Sequence, residues 1–128
     1  MGIINLDHIS SNPLLPENRA ITQANRKVGL GVMGWAEALI ELGIPYASEE
    51  ALALARKLMA FVRDHSYEAS GDLASERGVF PNWKRSRHYP ERPLRNASCN
   101  SIAPTGSISV IAGTSYSIEP LYALSFRR

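Results

Sequence analysis

Apolar residues recur at helical spacing in two stretches of the chain, and each stretch predicts an amphipathic helix. The first helix covers residues 35–43 and ends at Gly43, just before Pro45. Its apolar positions are Trp35, Leu39 and Leu42. The second helix is long, with Ser48 as its N-terminal cap and Gly78 as its C-terminal cap. Its apolar stripe consists of Leu54, Leu58, Phe61 or Val62, Ala69 and Leu73.

Alternation of apolar residues with other residue types predicts strands in three further segments. These segments are residues 26–34, 96–103 and 121–126. The first one alternates Val28, Leu30 and Val32 with Gly29, Gly31 and Met33. Glycine on one face of a strand indicates that something packs very close to the backbone there. Buried strands separated by helices indicate an α/β fold with a parallel arrangement.

The glycines at 29, 31 and 34 also match the spacing of a dinucleotide-binding loop. In that kind of loop the glycines follow the strand, whereas in this chain they lie inside the apolar run. The acidic residue expected about 20 positions later would be Glu49 or Glu50. These residues open a helix instead of ending a second strand, so close packing is the preferred interpretation.

The segment from Ile102 to Ser109 carries the candidate chemistry. Pro104 and Gly106 break the chain after an apolar run, and the hydroxyls of Thr105 and Ser107 flank the glycine. If a helix begins near Ser107, its free N–H groups and its positive dipole end face one point, which makes a small cradle for an anion or phosphate. The alternative is an ordinary turn that is capped by Thr105 or Ser107. The octamer by itself favours the cap.

The rest of the chain is predicted as short elements and loops. Asn18 is a candidate cap for a short helix over residues 19–25. Residues 79–95 form a loop with a basic run that is interpreted as a solvated surface. Residues 107–113 form a short helix or turn, and residues 114–120 form a second loop.

Composition narrows the class of protein. The 128 residues correspond to a single domain or to part of a larger one, and the net charge of +2 is too small to indicate a nucleic-acid partner. Cys99 is the one cysteine, which excludes an internal disulfide and suits a reducing cytosol. No apolar run approaches membrane-spanning length and the N-terminus does not resemble a signal peptide. We therefore expect a cytoplasmic protein without a membrane partner, and, because Arg127 and Arg128 directly follow a predicted strand, a piece of something larger.

Five stretches of the chain, none of them specific alone, form a strong pattern when taken together. They are Asn25–Gly34, Leu42–Tyr46, Glu76–Trp83, Arg95–Asn96 and Ile102–Pro120. In their order and spacing they resemble the large (catalytic) subunit of ribonucleotide reductase, and most of all the vitamin B12-dependent, adenosylcobalamin-using class II enzymes. The resemblance covers nearly the whole chain.

The resemblance implies a substrate-binding site in the candidate loop. In the family, the loop that matches Pro104, Thr105, Gly106, Ser107 and Ile108 binds the phosphates of the substrate ribonucleotide. This agrees with the anion cradle and reverses the preference for a simple cap. Thr105 and Ser107 would bond to phosphate oxygens, and Gly106 would let the backbone approach closely. Such contacts position the ribose for chemistry at a remote carbon.

The resemblance also implies a fold and a reaction. Residues 1–128 would be a single partial domain, the C-terminal segment of a ten-stranded α/β barrel in which helices connect parallel strands. The complete enzyme converts ribonucleoside di- or triphosphates to deoxyribonucleotides for DNA synthesis, with adenosylcobalamin as the radical source. Its implied partners are the remainder of the barrel, on an upstream polypeptide, and a second copy of the complete enzyme.

The chain departs from the family pattern in several places. It lacks the radical-cysteine motif, and Cys99 alone cannot form a redox pair, so Cys99 is interpreted as a small buried hydrophobe. We therefore expect no catalytic residue and no metal ligand in this chain, and no turnover by the chain alone. Ser117 stands where the family often has a glycine, and Tyr116 is bulkier than expected.

Three alternatives stay open at the level of the sequence. The first is a stand-alone phosphate- or nucleotide-binding module without catalysis. The second is a fragment of a class I large subunit, because the phosphate loop is shared between the classes. The third is a non-functional remnant that folds poorly.

Overall fold

The computed structural model describes residues 16–121, and these divide into two compact units. The first unit holds the described residues up to Val28 together with Asp64–Cys99. The second unit holds Gly29–Arg63 and the described residues from Asn100 onward. The predicted strand over 121–126 lies outside the described residues from its second position on. Within residues 16–121, no helix has both the length and the apolar content to cross a bilayer.

Helices are the main regular elements of the described residues. They are α1 (Pro16–Asn25), α2 (Trp35–Leu42), α3 (Glu49–Arg77), a 3₁₀ turn (Trp83–Arg85) and α4 (Gly106–Ala112). The predicted helices at α2, α3 and α4 are confirmed. Helix α1 begins earlier than predicted, at Pro16, so Asn18 lies inside it and is not its cap. Proline fits the first turn of a helix because the N–H groups there have no intrahelical partner.

Helix α2 is bounded by two glycines in the left-handed conformation. Gly34 precedes it with φ of 78°, and Gly43 follows it with φ of 70°. Ala36 and Leu39 are buried, as an apolar face requires. Leu42 is 61% exposed, so the predicted apolar face does not reach the end of the helix.

Helix α3 has the two ends that its sequence predicts. The Ala51 N–H donates to the Ser48 hydroxyl at 3.1 Å, which confirms the N-terminal cap. Gly78 ends the helix with φ of 79°. Of the two candidates for the apolar stripe, Val62 is half-buried and Phe61 is exposed, so Val62 belongs to the stripe.

The alternating segments 26–34 and 96–103 do not form strands within the described residues. One isolated parallel bridge joins Leu30 and Asn100, and the Ser101 N–H donates to the Leu30 carbonyl at 3.1 Å. The expected strands are therefore reduced to a single parallel pairing. The physical reason is that three glycines interrupt the first segment, and they remove the cross-strand side-chain pairs that stabilise a sheet.

The predicted close packing at these glycines is confirmed. A Cβ atom on Gly29 would overlap the Ser101 hydroxyl, and a Cβ atom on Gly31 would overlap the Ser101 carbonyl oxygen. Both positions therefore need glycine for close backbone approach, which is the interpretation preferred over a dinucleotide loop.

The first unit is held by a small core and a buried polar network. Phe80 and Leu94 are buried, and the Phe80 N–H donates to the Leu94 carbonyl at 3.0 Å. The Ser70 hydroxyl donates to the Asn96 side-chain oxygen at 2.9 Å and accepts the Asn96 N–H at 3.0 Å. The Asn96 amide group donates to the Arg26 carbonyl at 2.8 Å. This network ties the C-terminal third of α3 to the segment around Asn96.

Candidate functional site

The candidate phosphate loop, Pro104–Ile108, runs directly into helix α4. Thr105 precedes the helix with φ of 57° and ψ of 26°, and its carbonyl accepts the Ser109 N–H at 2.9 Å. Thr105 is half-buried, whereas the other four residues of the loop are exposed. The backbone conformation of Thr105 and its hydrogen bond to Ser109 therefore set the path of the loop, and the exposed residues can be reached by a ligand.

The Thr105 side chain does not cap the helix. Its hydroxyl oxygen instead accepts the N–H of Ser117 at 2.7 Å. Ser107 lies inside α4 and therefore cannot be its N-terminal cap. The simple cap is therefore wrong for both residues. A hydroxyl that accepts one hydrogen bond keeps its own proton for another acceptor, so the Thr105 O–H is fixed in place and can still donate.

The first turn of α4 supplies backbone donors beside this hydroxyl. The N–H groups of Gly106, Ser107 and Ile108 precede the first intrahelical bond and have no acceptor within the helix. A Cβ atom added to Gly106 would meet nothing within 4 Å outside its own helix, so no other part of the described chain packs against this glycine. Hydroxyls and free N–H groups on one short loop can bind an oxyanion.

Residues 114–118, within the second loop predicted over 114–120, lie against the candidate loop through the Ser117 N–H. Ser117 has φ of 42°, a conformation that glycine adopts more easily than serine. Ser117 is 2% exposed, and its hydroxyl has no hydrogen-bond partner among the described residues. The Tyr46 hydroxyl donates to the Ile118 carbonyl at 2.6 Å and fixes the far end of this loop.

Glu37 is the residue of this region that the sequence analysis missed. One of its carboxylate oxygens accepts both the Thr114 hydroxyl and the Ser115 N–H, the latter at 3.1 Å. It lines a cleft of about 490 Å³ together with Thr114, Ser115 and Glu119. A glutamate in the first turn of a helix is ordinary, so no sequence signal distinguishes Glu37 from the other acidic residues.

Cys99 behaves as the small buried residue that the sequence predicts. It belongs to the first unit and is 2% exposed. Burial raises the pKa of its thiol, although a hydrogen bond with Ser70 and the charge of Arg92 act in the opposite direction. Such a thiol is a poor nucleophile at neutral pH. No group of His, Cys, Asp and Glu side chains in residues 16–121 could hold a metal ion.

The family model described as the ribonucleotide reductase barrel domain matches residues 1–92 and 87–128. The chain belongs to the ribonucleotide reductase barrel domain family. The resemblance found in the five stretches is thereby confirmed, and the two matched segments overlap within the loop that contains the basic run.

Vitamin B12-dependent reductases are among the proteins that this chain is similar to. The vitamin B12-dependent ribonucleoside-diphosphate reductase of Thermoplasma acidophilum is 51% identical over 124 residues, or 95% of this chain and 16% of that protein. The enzyme of the same name from Mycobacterium tuberculosis is 52% identical over 113 residues, or 88% of this chain and 16% of that protein. The ribonucleoside-diphosphate reductase subunit alpha of Helicobacter pylori is 30% identical over an alignment that covers 91% of this chain and 20% of that protein.

A solved structure supports the same family. The Actinobacillus ureae class Id ribonucleotide reductase alpha subunit matches with a TM-score of 0.76 and 27% identity over 90% of this chain and 22% of that chain. The chain therefore has the fold of part of the reductase barrel domain. It spans about a sixth of the length of the B12-dependent relatives it matches.

Proposed function

We propose that this chain supplies the substrate-phosphate loop of a ribonucleotide reductase, and that Pro104, Thr105, Gly106, Ser107 and Ile108 bind the phosphates. The observation that carries the proposal is the Thr105 hydroxyl. It is held by the Ser117 N–H at 2.7 Å instead of serving as a helix cap, and it adjoins the free first-turn N–H groups of α4. A hydroxyl fixed in this way is ready to donate to an oxyanion without further ordering.

The chemistry of the loop suits a phosphate. Hydrogen bonds from neutral donors to a charged oxygen are stronger than neutral pairs, typically about 1.5–3 kcal/mol each. No other part of the described chain packs against Gly106, and the missing side chain lets a phosphate approach the backbone there. In the proposed reaction these bonds orient the ribose, whose reacting carbon lies away from the phosphates.

We propose further that residues 1–128 form one partial domain of the ten-stranded reductase barrel. The bridge between Leu30 and Asn100 supports this, because a parallel pairing between distant segments is what two neighbouring barrel strands would make. Helices α2 and α3 lie between these segments in the chain, which is the order of a β-to-β crossover through helices.

The complete enzyme in this proposal reduces ribonucleoside di- or triphosphates and works as a homodimer that includes the rest of the barrel. Adenosylcobalamin would supply the radical when bound. The sequence identity of 51% and 52% to two B12-dependent reductases supports this cofactor. We assign none of the residues 16–121 to the cobalamin. With Cys99 as its one cysteine, the chain also contributes no redox pair.

Calorimetric titration tests the phosphate loop directly. We expect the chain to bind cytidine diphosphate or triphosphate and to bind cytidine much more weakly. Thr105→Val keeps the shape of the side chain but removes the hydroxyl, and we expect it to weaken nucleotide binding by about tenfold or more. Thr22→Val, the same change on helix α1, is the control and should leave binding unchanged. Equal binding of cytidine and its phosphates would refute the phosphate loop.

Reconstitution tests the activity of the complete enzyme. The chain is mixed with the separately expressed upstream part of the same reductase, and association is followed by size-exclusion chromatography with light scattering. We expect reduction of a ribonucleotide only when both parts and adenosylcobalamin are present. A monomer that binds nucleotides but ignores the upstream part would instead identify a stand-alone binding module.

A further inference from the structure

We propose that Glu37 is a positioning residue of the phosphate loop, an inference that rests on the proposed function of that loop. Its carboxylate holds the segment Thr114–Ser117, and this segment in turn holds the hydroxyl of Thr105. Glu37 would thus set the geometry of phosphate binding without touching the phosphate.

Glu37 makes direct hydrogen bonds to this segment. The carboxylate oxygen that accepts the Thr114 hydroxyl also accepts the Ser115 N–H at 3.1 Å. Hydrogen bonds to an ionised acceptor are roughly twice as strong as neutral ones. Glu37 is half-buried, so water competes less for these bonds than it would at a fully exposed site.

The same segment is docked on the N-terminus of α2 by its backbone. The Gly34 N–H donates to the Ser115 carbonyl at 3.0 Å, and the Trp35 N–H donates to the Ser117 carbonyl at 3.3 Å. Glu37 is the side chain that completes this docking, because α2 carries it in its first turn. Gly34, Trp35 and Glu37 therefore all bond to the segment Thr114–Ser117. Gly34 and Trp35 do so through their backbone N–H groups, and Glu37 does so through its side chain.

The last step is the bond from the Ser117 N–H to the Thr105 hydroxyl at 2.7 Å. Ser117 has φ of 42°, and a residue other than glycine keeps such a conformation only when its surroundings impose it. Without Glu37 the segment loses two of the bonds that impose it. The Ser117 N–H would then turn away from Thr105, and the Thr105 hydroxyl would lose its fixed direction.

Binding of inorganic pyrophosphate and of cytidine diphosphate to variants of the full 128-residue chain tests this proposal. We expect Glu37→Ala to weaken binding of both probes by about tenfold, which is the share of one oriented hydroxyl. Glu37→Gln should stay within about threefold of the unmodified chain, because a single oxygen accepts both bonds and the amide retains one oxygen. Glu41→Ala, an exposed glutamate of the same helix, is the matched control and should bind like the unmodified chain.

A double-mutant cycle separates positioning from general destabilisation. In the Thr105→Val background, Glu37→Ala should cause no further loss of pyrophosphate affinity, since both changes act through one hydroxyl. Amide hydrogen exchange gives a readout without a ligand: the Ser117 N–H should exchange faster in Glu37→Ala than in Glu37→Gln. If Glu37→Ala does not fold, Glu37→Asp, which keeps the charge but withdraws it by one methylene, is expected to show the same losses.

The two proposals fail in different ways. If the unmodified chain binds neither pyrophosphate nor cytidine diphosphate, the phosphate loop itself is refuted. If it binds both and Thr105→Val weakens them while Glu37→Ala does not, only the positioning role is overturned. Additive losses in the double variant, or unchanged exchange of the Ser117 N–H, would overturn that role as well.

Discussion

Substitutions at Gly34 and Gly43 can separate the energetic cost of a steric contact from the cost of a left-handed backbone conformation. Both flank helix α2 in the left-handed conformation, with φ of 78° and 70°. A Cβ atom on Gly43 would meet nothing within 4 Å, whereas one on Gly34 would overlap the Thr114 hydroxyl and lie 3.6 Å from the Thr114 Cβ. Alanine at Gly43 therefore tests the conformation alone, and alanine at Gly34 tests the conformation plus the contact.

The magnitudes follow from these two environments. The left-handed conformation costs an alanine about 1–2 kcal/mol, and the smaller entropy of its unfolded chain returns about 0.4–1 kcal/mol. We therefore expect Gly43→Ala to lower the free energy of unfolding by about 1 kcal/mol. Gly34→Ala must also displace the Thr114 hydroxyl from Glu37, which adds the loss of a charged hydrogen bond and overpacking, about 2.5 kcal/mol or more.

Urea unfolding followed by circular dichroism measures both variants, with the slope checked for a common unfolded state. A third comparison localises the effect: in a Thr114→Ala background, Gly34→Ala should cost no more than Gly43→Ala. The proposed clash between position 34 and Thr114 is refuted if Gly34→Ala and Gly43→Ala have equal costs in the unmodified background. It is also refuted if the extra cost of Gly34→Ala persists when Thr114 has been truncated.

Three further predictions concern stability. Ser117→Gly removes a strained backbone conformation and a buried hydroxyl that has no hydrogen-bond partner in residues 16–121. Urea unfolding should therefore show a free energy of unfolding that is higher by about 1 kcal/mol. A lower free energy of unfolding would contradict this prediction. Ser70→Ala leaves buried polar groups of Asn96 without partners and should lower the free energy of unfolding by about 1–3 kcal/mol. The control Ser75→Ala, at an exposed site of the same helix, should change it by no more than about 0.5 kcal/mol. Equal effects of the two substitutions would exclude the hydrogen-bond network as the cause. Burial raises the pKa of Cys99, so the unfolded chain loses its thiol proton at lower pH and the free energy of unfolding should fall as pH rises above the ordinary thiol pKa. Cys99→Ala should remove that fall, and a profile unchanged by this substitution would show that another group is responsible.

Sequence patterns predicted the elements whose ends are determined locally. Ser48 and Gly78 bound α3 as expected, because a cap depends on one side chain or one backbone conformation and its nearest neighbours. Gly43 ends α2 for the same reason. The family assignment was also accessible, since it depended on several short stretches in a fixed order and not on any contact in space.

The candidate site was predictable only in part. The loop and its residues could be recognised, but the role of the Thr105 hydroxyl depends on Ser117, twelve positions later. Glu37 was missed because its partners, Thr114 and Ser115, lie 77 and 78 positions away in the sequence. Spacing rules for a single helix or loop carry no information about such partners. The reduction of the expected strands to the pairing at Leu30 has a different origin, because the glycines of the first segment keep the alternating pattern of a strand but provide no side chains for cross-strand pairs.

The bridge between Leu30 and Asn100 also has a consequence for folding. Contacts between these segments join residues 70 positions apart, and closing a flexible loop of that length costs about 4 kcal/mol of chain entropy. Helices α2 and α3, which need only local contacts, can therefore form before the pairing does. At a synthesis rate of about 5–20 residues per second, the first segment waits roughly 4–14 s for its partner. Aggregation-prone segments contain few glycines. We therefore expect the residues that permit close packing in the folded protein also to lower the tendency of the waiting segment to pair with other chains.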